Sequence, residues 1–97
     1  MIRSFGNSLA EALFDGRQTK ETRRFPPKLL RAARRKVLFL HDAAELADLR
    51  TPPGNKLKAL KGEWKGLSSI RINDQWRVVF KWERGDAFDV RVVDYHD

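Results

Sequence analysis

Apolar positions recur along this chain with two periods, helical before Gly54 and alternating after it. Ile2 to Phe5 alternates and predicts a short edge strand. Asn7 or Ser8 can cap a helix through Phe14, with Leu9, Ala10, Leu13 and Phe14 as its inward stripe and Asp15-Gly16 as its stop. Residues 17–25 are polar and basic without a periodic apolar pattern, so a mobile loop is expected there, ordering on RNA or a protein partner. Pro26-Pro27 suits the start of a helix, where a missing N–H costs nothing, and Leu29, Leu30, Ala33, Val37 and Leu40 make its apolar stripe. A break near His41, a fresh cap at Asp42-Ala43-Ala44-Glu45 and a second helical piece to about Leu49 follow, and Thr51-Pro52-Pro53-Gly54 ends helical structure.

Beyond Gly54 the pattern predicts strands at Lys56–Leu60, Leu67–Ile72, Trp76–Trp82 and Phe88–Val93, separated by Lys61-Gly62, Asn73-Asp74-Gln75 and Arg84-Gly85-Asp86. Connections this short favour an antiparallel meander. Trp76, Val78, Phe80 and Trp82 share one face and read as core, which leaves Arg77, Val79 and Lys81 on the other, open face. Helices first and strands afterwards predict an α+β fold with the N-terminal helices packed on one face of an antiparallel sheet.

Composition narrows the function. The 97 residues, 41% hydrophobic, predict one domain spanning 1–97 with a core of two packed layers. The absence of cysteine excludes a disulfide scaffold, a thiol nucleophile and thiolate metal sites. No apolar run approaches the ~20 residues needed to cross a bilayer, and none resembles a signal sequence, so a cytoplasmic protein with no membrane partner is expected. The net charge of +7 is concentrated: residues 17–36 hold nine Lys and Arg against Glu21 alone, and residues 50–71 hold six against Glu63. Two such segments point to a polyanion, because each neutralised phosphate releases counterions; a merely solvated basic surface is the alternative.

Candidate chemistry is sparse. His41 and His96 are the two histidines, and with no cysteine no metal site has recognisable spacing. No phosphate-cradling glycine loop or nucleophile elbow is present, and neither a cofactor nor a small-molecule substrate is expected. The chain ends in Asp94-Tyr95-His96-Asp97 directly after an apolar strand. His96 is suited to proton transfer near neutral pH, Tyr95 to proton donation or base stacking, and Asp94 to orienting His96; a polar chain end with no such role is the other reading. Arg77 is either a phosphate fork or an ordinary solvent-facing arginine. Lys58 and Lys61 either bind phosphate or keep an edge strand soluble. His41, beside the helix break, reads as a helix-terminal residue.

Three blocks taken together carry a resemblance: Leu57-Lys58-Ala59-Leu60-Lys61-Gly62, then Ser69-Ile70-Arg71-Ile72-Asn73-Asp74-Gln75-Trp76-Arg77-Val78-Val79-Phe80, then Val92-Val93-Asp94-Tyr95-His96. In these, and in Ile2-Arg3-Ser4-Phe5 and Ala12-Leu13-Phe14, the chain resembles the HigB toxins, or plasmid maintenance system killer proteins, of the RelE-like superfamily. The resemblance implies a RelE-like toxin fold and ribosome-dependent endonuclease action on translated mRNA. It also implies a HigA-type helix-turn-helix antitoxin as partner, with a DNA operator reached only through the antitoxin complex. It implies His96, Tyr95 and Asp94 as a C-terminal catalytic cluster, Arg77 as the phosphate-stabilising arginine and Lys61 as the lysine before Gly62. Lys56, Lys58, Lys65 and Arg71 are expected to contact RNA. Some family members have a histidine where this chain has Lys58, and a lysine with an ordinary pKa is a poor base at pH 7. Two other classes stay open: a non-catalytic RNA- or ribosome-binding module, and a gyrase-directed toxin on the same fold.

Overall fold

The computed structural model describes residues 1–95, and the change of period at Gly54 separates helices from strands in it as well. Asn7 is extended and its side chain accepts from the Ala10 N–H, opening helix α1 (Ser8–Asp15); Gly16, in the left-handed region at φ 71°, closes it. Helix α3 (Leu30–Asp42) follows a 3-10 turn at Pro27–Leu29 and buries Ala33, Val37 and Leu40. Strands β1 (Lys58–Ala59), β2 (Ser68–Arg71), β3 (Trp76–Glu83) and β4 (Asp86–Asp94) form a four-stranded antiparallel sheet in sequence order. This is the α+β meander expected from the sequence. Ala10, Leu13, Ala33, Val37 and Leu40 from the helices meet Ile70, Val78, Phe80, Val90 and Val92 from the sheet in one core, with Trp76 and Trp82 at its margin.

Four expectations are corrected. Residues 17–25 are not an unstructured loop: helix α2 (Lys20–Arg24) is fixed by a capping box in which the Thr19 and Thr22 side chains each accept from the other's backbone N–H. Thr22 is buried, and Phe25 is 2% exposed with its ring 4.7 Å from that of Trp76. One buried threonine and one aromatic at the end of a polar stretch hold a single helical turn against α1 and Trp76, which a periodicity test does not register. Ile2 and Phe5 make isolated parallel bridges to Ala87 and Val90 rather than a strand. The second helical piece is a 3-10 segment, Leu46–Arg50, whose cap is Glu45 with Asp48, three residues beyond the pair expected. The first strand shrinks to Lys58–Ala59, because Leu60 turns inward and is buried.

A bulge explains the pattern of β4. The register with β3 shifts between Val79 and Lys81, and Asp89 takes φ 54°. The inward phase therefore jumps from Ala87 to Val90 and Val92, and Phe88 is left only partly buried.

Candidate active site

The second sheet face, away from the helices, carries the candidate chemistry, and it is not open. Cross-strand pairing places Lys58 beside Ser69, Ser69 beside Val79 and Val79 beside Arg91, and in the next row Arg71 beside Arg77 and Arg77 beside Val93. Val79 and Ser69 are fully buried and Arg77 is 8% exposed. The segment between Pro53 and Leu67 folds over this face, correcting the expectation that Arg77 and Val79 look into solvent; Lys81, further along β3, is exposed as expected.

The burial of Arg77 is specific. Its Nη1 donates to Ser69 Oγ at 2.9 Å and to the Lys56 carbonyl at 3.3 Å. Among the described residues its Nε and Nη2 take no hydrogen-bond partner, and Trp76 Nε1 is a sealed, unpartnered side-chain atom. One arm of the guanidinium is thus clamped, while Nε and Nη2 take no partner among the described residues. Both anchors are neutral, so the positive charge is held without being cancelled by a carboxylate.

Around this fork the structure gathers an aromatic and cationic rim. Lys58 Nζ lies 6.0 Å from the centre of the Tyr95 ring. Tyr95 is fixed by its backbone N–H, which donates to the Gln75 carbonyl at 2.7 Å, and meets the Trp64 ring edge-on at 6.5 Å. The Arg91 guanidinium lies 5.6 Å from the centre of the Trp64 ring. Sequence reasoning missed Trp64, Arg91 and Ser69. The signal for Trp64 was a large aromatic between Gly62 and Gly66, outside any periodic stripe; for Arg91, a cation alternating with Val90 and Val92.

The remaining expected residues lie further out. Asp94 is opposite Trp76 in the register, so strand alternation sends it to the face away from Tyr95; it accepts from Gln75 Nε2 at 2.9 Å. Arg71 is bonded through Nη2 to Asp74 Oδ1. Lys61 is exposed at the start of the 3-10 turn Gly62–Trp64, and exposed Lys65 ends it. Lys56 contributes its carbonyl, while its side chain is exposed. His96 lies outside the described residues. His41 is structural: its Nδ1 accepts from the Ile2 N–H at 3.1 Å and its ring sits 4.9 Å from Phe14. Among the described residues no three His, Cys, Asp or Glu side chains group as metal ligands. The other basic segment lies across the sheet, where Arg31, Arg34, Arg35, Leu38 and Phe39 line a shallow hollow on α3. No helix of the described residues is long and apolar enough to cross a membrane.

Helices packed on one face of a four-stranded antiparallel meander give the RelE-like toxin fold. Solved structures agree at the level of fold. A histidine-to-glutamine variant of YafQ from E. coli matches 97% of this chain and 91% of its own with a TM-score of 0.62 and 17% identity. The YoeB-YefM complex of Staphylococcus aureus matches 100% and 99% of the two chains with a TM-score of 0.59 and 14% identity. The family model described as the RelE-like toxin of the type II toxin-antitoxin system HigB matches residues 3–96, and the chain belongs to that family. It is 41% identical to Toxin HigB-1 of Vibrio cholerae serotype O1 over 72% of this chain and 74% of that relative. It is 29% identical to Endoribonuclease HigB of Proteus vulgaris over 99% and 100% of the two chains. As a toxin of a type II system it has an antitoxin as partner.

Proposed function

We propose that this toxin is an endoribonuclease that cuts translated mRNA on the ribosome, with the ribose 2′-OH as nucleophile and no metal in the reaction. The observation that carries the reading is Arg77: a buried guanidinium anchored by neutral acceptors, its Nε and Nη2 without a hydrogen-bond partner among the described residues, on the sheet face that also carries Lys58 and Tyr95. Such a fork suits the equatorial oxygens of a phosphodiester passing through a dianionic transition state.

In the proposed reaction the 2′-oxygen forms a bond to phosphorus and the bond from phosphorus to the 5′-oxygen breaks. The products are a 2′,3′-cyclic phosphate and a 5′-hydroxyl. One proton leaves the 2′-OH and one reaches the 5′-oxygen. His96, the imidazole of the C-terminal block, serves one of these transfers, with Asp94 assisting. Tyr95 positions or stacks a base, flanked by Trp64. Lys61, together with Lys56, Lys58, Lys65 and Arg71, draws in the RNA backbone. So few groups need the ribosome to hold the message in an attack geometry, a contribution that reaches several kcal/mol. The setting is the cytoplasm, and the antitoxin is of the HigA helix-turn-helix kind, through which the complex reaches its operator DNA.

The test is the chemistry of the ends. Translated mRNA exposed to the toxin, with magnesium chelated after the ribosomal complexes are crosslinked, should yield 2′,3′-cyclic or 3′-phosphate ends. A 2′-deoxy residue at the cut position should abolish cleavage. Products with 3′-hydroxyl ends would sink the mechanism. Tight ribosome binding with uncut message would leave a non-catalytic binding module instead.

A further inference from the structure

Arg77 is not held by its own strand alone. One of its two anchors is the Lys56 carbonyl, which belongs to the loop lying over the sheet. Lys56 ends the 3-10 turn Pro53–Asn55 in a left-handed conformation, φ 45° and ψ 56°, so the direction of its carbonyl depends on how that turn is pinned. The pin is Asn55. It is fully buried, and its Nδ2 donates to the Leu49 carbonyl at 3.2 Å and the Thr51 carbonyl at 3.4 Å. Its Oδ1 accepts from Lys36 Nζ, on α3.

Lys36 is exceptional among the eight lysines of this chain. Lys20, Lys28, Lys56, Lys58, Lys61, Lys65 and Lys81 are exposed; Lys36 is partly buried, and its ammonium turns to a neutral amide. Burial, and then the neighbouring Arg35, lower its pKa, so holding it there as a cation works against stability. A lysine ordered at that cost points to a role beyond solubility.

We propose that Lys36 and Asn55 are positioning residues for Arg77: from α3, on the helical side, they fix the turn whose carbonyl aims the guanidinium at the phosphate. The inference rests on the phosphate role proposed for Arg77. Lys36 and Asn55 touch neither RNA nor the reacting atoms. They act through two bonds in series, Lys36 to Asn55 and Lys56 to Arg77, with one tight turn between. Displacing a charge-stabilising group by a fraction of an ångström to an ångström reduces the rate without weakening substrate binding in proportion.

The test is a double-mutant cycle on ribosome-bound mRNA, with folding followed by urea titration of each variant. Lys36→Met should lower kcat about tenfold with KM changed less than about twofold. Lys36→Arg, which can still donate to Asn55, should recover most of that loss. On an Arg77→Ala background Lys36→Met should change kcat by less than about twofold, because the group it aims is gone. Lys36→Gln, uncharged but polar and too short to reach Asn55, gives the same cycle should the methionine variant fold poorly. Multiplying losses, or unchanged kcat in both Lys36→Met and Lys36→Gln, would overturn the relay and leave the phosphate role of Arg77 intact. Undiminished cleavage by Arg77→Ala itself would remove that role and the relay with it.

Discussion

Truncating Arg77 tests the site most directly, because the structure allows its effects on folding and on rate to be separated. Arg77→Ala removes a side chain that is 8% exposed and leaves the buried Ser69 Oγ and the Lys56 carbonyl without their donor. A buried polar group losing its partner costs about 1–3 kcal/mol, so a moderate loss of stability in urea titration is expected. The rate should fall much further than this alone could explain. In the proposed reaction Nε and Nη2 meet charge that develops in the transition state, and removing one preorganised donor of this kind costs about 2.7–4 kcal/mol, or 10²–10³ in kcat. Since a variant stable by several kcal/mol is almost wholly folded at the assay temperature, its destabilisation contributes little to that factor.

The assay is single-turnover primer extension on ribosome-bound message, with toxin in excess so that binding and chemistry are resolved. Arg77→Lys is the informative companion. It keeps the charge but replaces a planar fork with a point charge, and should fall between wild type and alanine. Cleavage by Arg77→Ala within a few-fold of wild type would refute the reasoning, since no other buried cation in the described structure faces that side of the sheet.

Three further outcomes are expected. Phe25→Ala should destabilise the chain by about 3–5 kcal/mol in urea, as for any buried aromatic; a loss under about 1 kcal/mol would mean that α2 is not docked. Trp64→Ala removes the edge contact to Tyr95 and the platform under Arg91, and should slow cleavage about tenfold with the fold intact; an unchanged rate would detach Trp64 from the site. Burial raises the Asp86 pKa, but hydrogen bonds from Arg3, at 3.2 Å, and from the Met1 ammonium outweigh it and leave the carboxyl below its usual 3.8. Its stabilising contribution is therefore complete above that value and lost as pH falls through the folded value. Asp86→Asn should accordingly lower stability at pH 7 and converge on wild type in strong acid; parallel curves down to acid would refute the pairing.

What the sequence disclosed follows from which interactions are periodic. The core stripes of α1 and α3 and the alternation of β3 are spelled out by residues at fixed spacing, and the helices, the sheet order and the inner face were all legible. Of what was not, two cases show why. Thr22 and Phe25 dock α2 without a repeating stripe, and Asp89 reverses the phase of β4 by a single bulge; neither leaves a period to count. The candidate site was half legible for the same reason. Arg77, Lys58 and Tyr95 stand in blocks that could be named, whereas the cover over Arg77 comes from a loop whose sequence shows only turn residues. Ser69, Lys56 and Asn55 matter there through a hydroxyl, a carbonyl and an amide, groups that many loops carry. That Asp94 and Tyr95, adjacent in the chain, turn to opposite faces follows from the register with β3.

The neutral anchors of Arg77 have an energetic consequence. A buried guanidinium paired with a carboxylate would recover part of its desolvation cost, but its field at the surface would be largely cancelled. Held by a hydroxyl and a carbonyl instead, Arg77 keeps its field, which in the proposed function meets a phosphate, and leaves part of its desolvation uncompensated in the free toxin. If stability has been traded for this, removing both the cation and its buried hydroxyl partner should give some of it back. The Arg77→Met, Ser69→Ala double variant replaces donor and acceptor with apolar groups, an exchange that can be neutral or stabilising where loss of one partner alone is not. Only the Lys56 carbonyl then lacks its donor, so the double variant should cleave no better than Arg77→Ala, yet unfold at a urea concentration clearly above that of Arg77→Ala. A midpoint as low as that of Arg77→Ala would show that the anchored guanidinium holds the loop to the sheet with a net gain, and that its exposure to phosphate carries no stability cost.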